Sequence, residues 1–241
     1  GEVSPRKETS APKPIEYRRI PSAELDAADY RIDYLIDGVL VAGQPGLISG
    51  RKKTIKTGIA IDQAVSLATS TPHLDRFEVP EAVNVGIMSG EAGLPTLQET
   101  GRRIAKAHGV KLGDIKGLVW SDQLPTLGNP QHGDALKRFV EENELAVLYV
   151  DPAYLAMPAA YDAGNLFAAG QVLRTLTTLG EETGVTSILI QHNRKNPSRA
   201  FAMPELDEIA WAGFAEWARQ WFLLERRCEF NPESDGRHEL W

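Results

Sequence analysis

The chain has 241 residues, a formal net charge of −7, a hydrophobic share of 42% and a charged share of 24%, with Cys228 its one cysteine. That composition fits a single soluble α/β domain with a short appendage, excludes an internal disulfide, and contains no run near the roughly 20 apolar residues that a membrane span needs. The acidic balance argues against a surface coated with nucleic acid, although a ring of acidic subunits can still thread a strand past a few basic groups.

Residues 1–21 are rich in Pro, Lys, Arg, Glu and Ser and read as a flexible arm, leaving 22–241 as the folded domain, with globular patterning from Tyr34 onward. No charged, then apolar, then small-residue leader opens the chain, so the expected address is the cytoplasm. Gly46 to Ser49 is the first of five short apolar runs that read as buried parallel strands. It opens into Gly50, Arg51, Lys52, Lys53, Thr54, Ile55, Lys56 and Thr57, and a helical stretch follows over Thr57 to Ala68. The spacing is that of a phosphate loop, Gly, four residues, Gly, Lys, then Ser or Thr, with Ile55 in place of the second Gly. Backbone amides across Gly50, Lys53, Thr54 and Ile55 and the start of the helix are expected to hold phosphate. Lys56 is expected to reach the β and γ phosphates, and the Thr57 hydroxyl to bind Mg²⁺. Ile55 resists a positive φ, so a less regular loop is expected. The competing reading is a basic turn capped by Thr.

The second strand, Val83 to Met88, runs into Ser89, Gly90 and Glu91, which places a carboxylate at the same rim; it suits either the orientation of an attacking water or the N-terminus of the next helix, Thr96 to Ala107. The third strand is Gly117 to Trp120 and the helix after it Gly133 to Asn143. The fourth strand, Leu145 to Val150, closes on Asp151, the natural second half of a magnesium–nucleotide site, or a simple helix cap. After a helix over Gly164 to Glu182, the fifth strand, Thr186 to Ile190, ends in Gln191, His192, Asn193, Arg194 and Lys195. Gln191 or His192 is a candidate sensor of the γ phosphate. His73, His108 and His132 stand isolated. A last pair of strands is expected near Gln220 to Arg226 and His238 to Trp241. Strands alternating with helices imply βαβ units and a mostly parallel sheet covered on both faces, with ligands at the carboxyl ends of the strands.

Four stretches, Leu47 to Thr57, Met88 to Glu91 with Thr96 to Thr100, Leu148 to Tyr154 and Ile190 to Lys195, carry a resemblance to the RecA-like P-loop ATPases of the plasmid-type hexameric replicative helicase group. Trp211 to Trp221 looks like the helix that leads into the last strands of such domains. The resemblance implies an α/β RecA-like P-loop NTPase fold that takes ATP and Mg²⁺. By position it implies Lys56 and Thr57 for phosphate and metal, Glu91 as catalytic base, Asp151 for the metal, and Gln191 with His192 as γ-phosphate sensor. It further implies a homo-oligomer with single-stranded DNA as a candidate partner and no membrane. The alternative from another class is a nucleotide-dependent switch or assembly module with slow hydrolysis and no motor activity. A small-molecule kinase ranks after both, since no lid or acceptor site is visible.

Overall fold

The computed structural model describes residues 17–194, 199–229, 231, 233, 239 and 240; residues 1–16 of the expected arm, and Lys195, His238 and Trp241, lie outside them. The chain divides into two units, Gly1–Arg31 and Ile32–Trp241. The described part of the first holds one short helix, α1 (Ser22–Ala27), with no buried residue.

The second unit opens with a two-stranded antiparallel ribbon, β1 (Tyr34–Ile36) and β2 (Leu40–Val41), turned at Asp37 and Gly38. There follow β3 (Gly46–Gly50), α2 (Lys56–Thr69), β4 (Val85–Ser89), α3 (Gly93–Ala107), β5 (Leu118–Ser121), α4 (Pro130–Glu142) and β6 (Val147–Asp151). The chain continues through α5 (Ala153–Ala156), α6 (Leu166–Thr183), β7 (Thr186–His192), α7 (Phe214–Trp217) and β8 (Gln220–Leu224). Six of these strands form one sheet in the order β5-β4-β6-β7-β3-β8, and every pair in it is parallel.

Alternation along each strand feeds two cores. Leu148, Val150 and Leu189 face the side covered by α4 and α6, whereas Val147, Tyr149, Ile188 and Ile190 face the side covered by α2 and α3. With both faces covered, β3, β4 and β6 are buried along their whole length, which is why they appear in the sequence as unbroken apolar runs.

Helix starts follow their caps. Asn129 accepts from the amides of Gln131 and His132, with Pro130 in the first turn, so α4 begins three residues before the expected Gly133. Asn165 does the same for Phe167 and Ala168, so α6 begins after the expected Gly164. One expectation is corrected. The stretch from Trp211 to Trp221 is not one helix, because Trp211 and Gly213 both have positive φ, Gly213 packs directly on Ala169, and only Phe214–Trp217 is helical. Of the last strand pair, β8 is present; the second, His238 to Trp241, lies partly outside the described residues, and of its described part Leu240 makes an antiparallel bridge to Arg226.

Nor are the histidines all isolated. Asp62 on α2 bonds His73 Nδ1 at 2.6 Å through one oxygen and His108 Nε2 at 2.9 Å through the other. The loop after α2, which carries His73, and the end of α3, which leads to His108, are thereby tied to the middle of α2. Burial works against the charged form of Asp62, but the two imidazole hydrogen bonds prevail and hold its carboxyl below the usual range. Gln63 extends the network to the Tyr149 hydroxyl, 3.0 Å away in the sheet. A buried phenol therefore has an acceptor, as such groups require. Among the described residues, no helix is long and apolar enough to cross a membrane.

Candidate nucleotide site

Gly50 ends β3 between two neighbours and has no room for a side chain, since a Cβ there would meet the Leu224 carbonyl of β8 and the Thr54 hydroxyl. The loop from Gly50 to Ile55 then folds on itself. The Thr54 hydroxyl donates to the Arg51 carbonyl at 2.8 Å, and Thr54 is fully buried. Lys53 and Ile55 both take left-handed conformations, with φ of 61° and 52°. The irregularity expected from Ile55 is thus not what the backbone shows, because Ile55 adopts the positive φ that a glycine would have taken. For an L-residue that conformation costs about 1–2 kcal/mol, so other contacts must hold the loop in place. Replacing Ile55 with Gly should leave the affinity for an ATP analogue within about threefold of wild type. Ile55→Pro, whose ring fixes φ near −65°, should weaken it by more than about tenfold. A titration in which the Pro variant binds normally would show that the left-handed turn is dispensable.

Helix α2 starts at Lys56 with no side-chain cap and no acid in its first turn, so its first amides and the positive end of its dipole are open to an anion. The Lys56 ammonium is buried and donates to the carbonyls of Gly50 at 3.0 Å and Arg51 at 2.8 Å. Burial lowers its pKa to about 8, against the opposing charges of Asp151, Glu91 and Glu225. The Thr57 hydroxyl donates to Asp151 Oδ2 at 2.6 Å. Strand β6, which ends in Asp151, is not a neighbour of β3; β7 lies between them, and the contact is made by the first turn of α2 reaching across. Burial pushes the Asp151 carboxyl above the usual carboxylate range; the Thr57 hydrogen bond and the Lys56 charge oppose this, and the Glu91 charge adds to it.

These groups line one cavity of about 620 Å³, a size suited to a small ligand. Lys53, Thr54, Ile55, Lys56 and Thr57 form one wall, Glu91 and Asp151 another, and His192 with Tyr154 a third, their rings 6.0 Å apart. Glu91 is exposed just beyond β4, and the chain there is held by the Gly90 amide donating to the Asp151 carbonyl at 2.9 Å. Burial and the Lys56 charge push the His192 imidazole below its usual pKa, and its Nδ1 is buried with no hydrogen-bond partner. Gln191 is placed elsewhere. Successive residues of a strand point to opposite faces, so while Ile190 and His192 line the cavity, the buried Gln191 amide donates to the Ala210 carbonyl at 3.3 Å. The choice left open between Gln191 and His192 is therefore resolved in position: only His192 reaches the cavity.

The cavity suits a magnesium–nucleotide. An uncapped helix start and a buried ammonium offer positive charge to phosphate, and an oxygen pair of Thr57 and Asp151 is the sparse donor set that Mg²⁺ takes alongside waters and phosphate oxygens. Lys52, Pro152, Tyr154 and Ile190 also line it, and none of them had a role of its own in the sequence reading. Tyr154, three residues past Asp151, had a signal in the chain order. Ile190 and Lys52 had none beyond adjacency.

A protein-family model described as an AAA domain matches residues 11–198, well over half of the chain. The chain belongs to the AAA domain family. A comparison with curated proteins gave no match. The AAA domain match, with the parallel sheet and the loop–helix unit at its centre, makes the chain an α/β RecA-like member of the P-loop ATPases. The match is to the AAA domain as a whole and specifies no narrower group.

Proposed function

We propose that this AAA domain binds ATP with Mg²⁺ and hydrolyses it, and that turnover serves work on single-stranded DNA by an assembly of several copies. The single observation that carries the hydrolytic part is the convergence of Lys56, Thr57, Glu91 and Asp151 on one cavity from three separate strand ends. The DNA and oligomer parts rest on the likeness to replicative helicases in the stretches around Thr57, Glu91, Asp151 and His192.

In this reading Lys56 exchanges the Gly50 and Arg51 carbonyls for β and γ phosphate oxygens, and the amides of α2 complete the cradle. Thr57 and Asp151 would hold Mg²⁺, which would supply positive charge beside the phosphates. Glu91, exposed at the cavity wall, orients a water for in-line attack on the γ phosphorus. The new P–O bond forms as the bond to the β,γ-bridging oxygen breaks, giving ADP and inorganic phosphate, with the water's proton passing to Glu91. His192, whose ring lines the cavity beside Tyr154, serves as the sensor of the γ phosphate.

Single-turnover hydrolysis with and without single-stranded DNA, alongside mass in solution with an ATP analogue and Mg²⁺, tests the reading. Hydrolysis accelerated by DNA, with a larger assembly when nucleotide is bound, is the expected result. Absence of hydrolysis in both conditions removes the enzyme; hydrolysis indifferent to DNA removes only the motor.

A further inference from the structure

The phosphate loop carries two non-glycine residues in left-handed conformations and so needs something outside itself to hold its shape. One such contact comes from the far end of the sequence. Strand β8 runs parallel to β3 with Leu224 in register with Gly50, so the next residue on each chain, Glu225 and Arg51, leave the sheet side by side. Arg51 Nε lies 3.0 Å from Glu225 Oε2, and the other carboxylate oxygen accepts from the Arg226 amide at 2.9 Å. Glu225 is 5% exposed, a buried carboxylate whose charge is compensated by a residue of the loop. The same Arg51 presents the carbonyl that takes both the Lys56 ammonium and the Thr54 hydroxyl.

We infer that Glu225 is a positioning residue for the nucleotide site: through Arg51 it holds the backbone of the turn closed by the Thr54 hydroxyl, and so presets the shape of the loop for phosphate. This rests on the reading of the cavity as a nucleotide site. Glu225 does not line the cavity; it acts on the loop's backbone through the Arg51 guanidinium. Because the contact spans the ends of β8 and β3, displacement of the end of β8 is felt at Lys56 although Glu225 itself does not line the cavity.

The test is a double-mutant cycle on the full chain, with Glu225→Gln, Arg51→Gln and both together, read as the dissociation constant for a fluorescent ATP analogue with Mg²⁺ and as the unfolding midpoint of the nucleotide-free protein. Each single variant is expected to bind about tenfold more weakly, and the double variant no more weakly than the worse single, since the Arg51–Glu225 contact is lost in all three. Arg51→Lys, which keeps the charge, is expected to recover part of the loss. Single variants that bind like wild type, or losses that multiply in the double variant, overturn the inference. A loss of affinity that tracks the unfolding midpoint in all three variants, without recovery by Arg51→Lys, also overturns it. Should Arg51→Gln fold poorly because it strands a buried charge, the Glu225→Gln and double variants still decide. Wild-type protein that does not bind the analogue removes the nucleotide reading itself, an outcome distinct from variants that bind as well as wild type does.

Discussion

Replacing Lys56 with Met is expected to cut ATP turnover by at least about 10²–10³-fold, the cost of removing a preorganised charge from a transition state, while raising the melting temperature of the nucleotide-free protein. The two effects have one cause. An ammonium whose pKa falls from 10.5 to about 8 on folding is held at a cost of about 3 kcal/mol at neutral pH. Two carbonyl acceptors do not fully replace its lost water. Methionine fills a similar volume without the charge. Even after allowing for lost hydrogen bonds, a gain of about 1–2 kcal/mol corresponds to roughly 3–6 °C for a domain of this size. The sign with pH follows from linkage. Between about 8 and 10.5 the unfolded chain holds more protons on this residue than the folded one, so wild-type stability rises with pH through that window. The advantage of the Met variant is therefore full below pH 8 and fades as pH climbs toward 10.5. Thermal unfolding at pH 7 and pH 10 checks this; a Met variant less stable than wild type at pH 7 would show that Lys56 supports the apo fold instead of straining it.

Glu91→Gln is the complementary case. It should lower single-turnover hydrolysis by about 10²–10⁴-fold, the usual contribution of a general base, and leave the affinity for ATP nearly unchanged. The separation is expected because Glu91 stands on the cavity wall opposite the loop, exposed, with its backbone fixed through Gly90 to the end of β6. The amide keeps the shape and some capacity to orient water, but cannot accept the proton. Quenched-flow hydrolysis beside equilibrium binding distinguishes this from Lys56, where affinity and rate fall together. Unchanged hydrolysis in the Gln variant would assign the base elsewhere on the rim.

What was legible in the sequence was whatever depends on local pattern. Five parallel strands were visible as apolar runs because both faces of the sheet are covered, and Lys56, Thr57, Glu91 and Asp151 were visible because each stands just past such a run. Turn chemistry was legible but missed: Asp37-Gly38 between apolar residues marks the β1–β2 ribbon, and Asn129-Pro130 marks the start of α4. Other features depend on three dimensions. The side to which Gln191 points depends on strand phase, and His73 and His108 meet only because α2 and α3 pack together around Asp62. No spacing rule joins Arg51 to Glu225. The backbone of Ile55 departs from its intrinsic preference, a case of tertiary context overriding local propensity.

The strand order also bears on how the protein is made. Strand β3 is synthesised early, yet both of its neighbours, Thr186–His192 and Gln220–Leu224, come late. A growing polypeptide therefore carries a phosphate loop whose β3 strand lacks its first neighbour until β7 has been made and its second until β8 has been made, and closing those distant pairings makes a slow, high-contact-order step. The strand that carries the phosphate loop thus gains its full set of neighbours only when Gln220–Leu224 pairs with it.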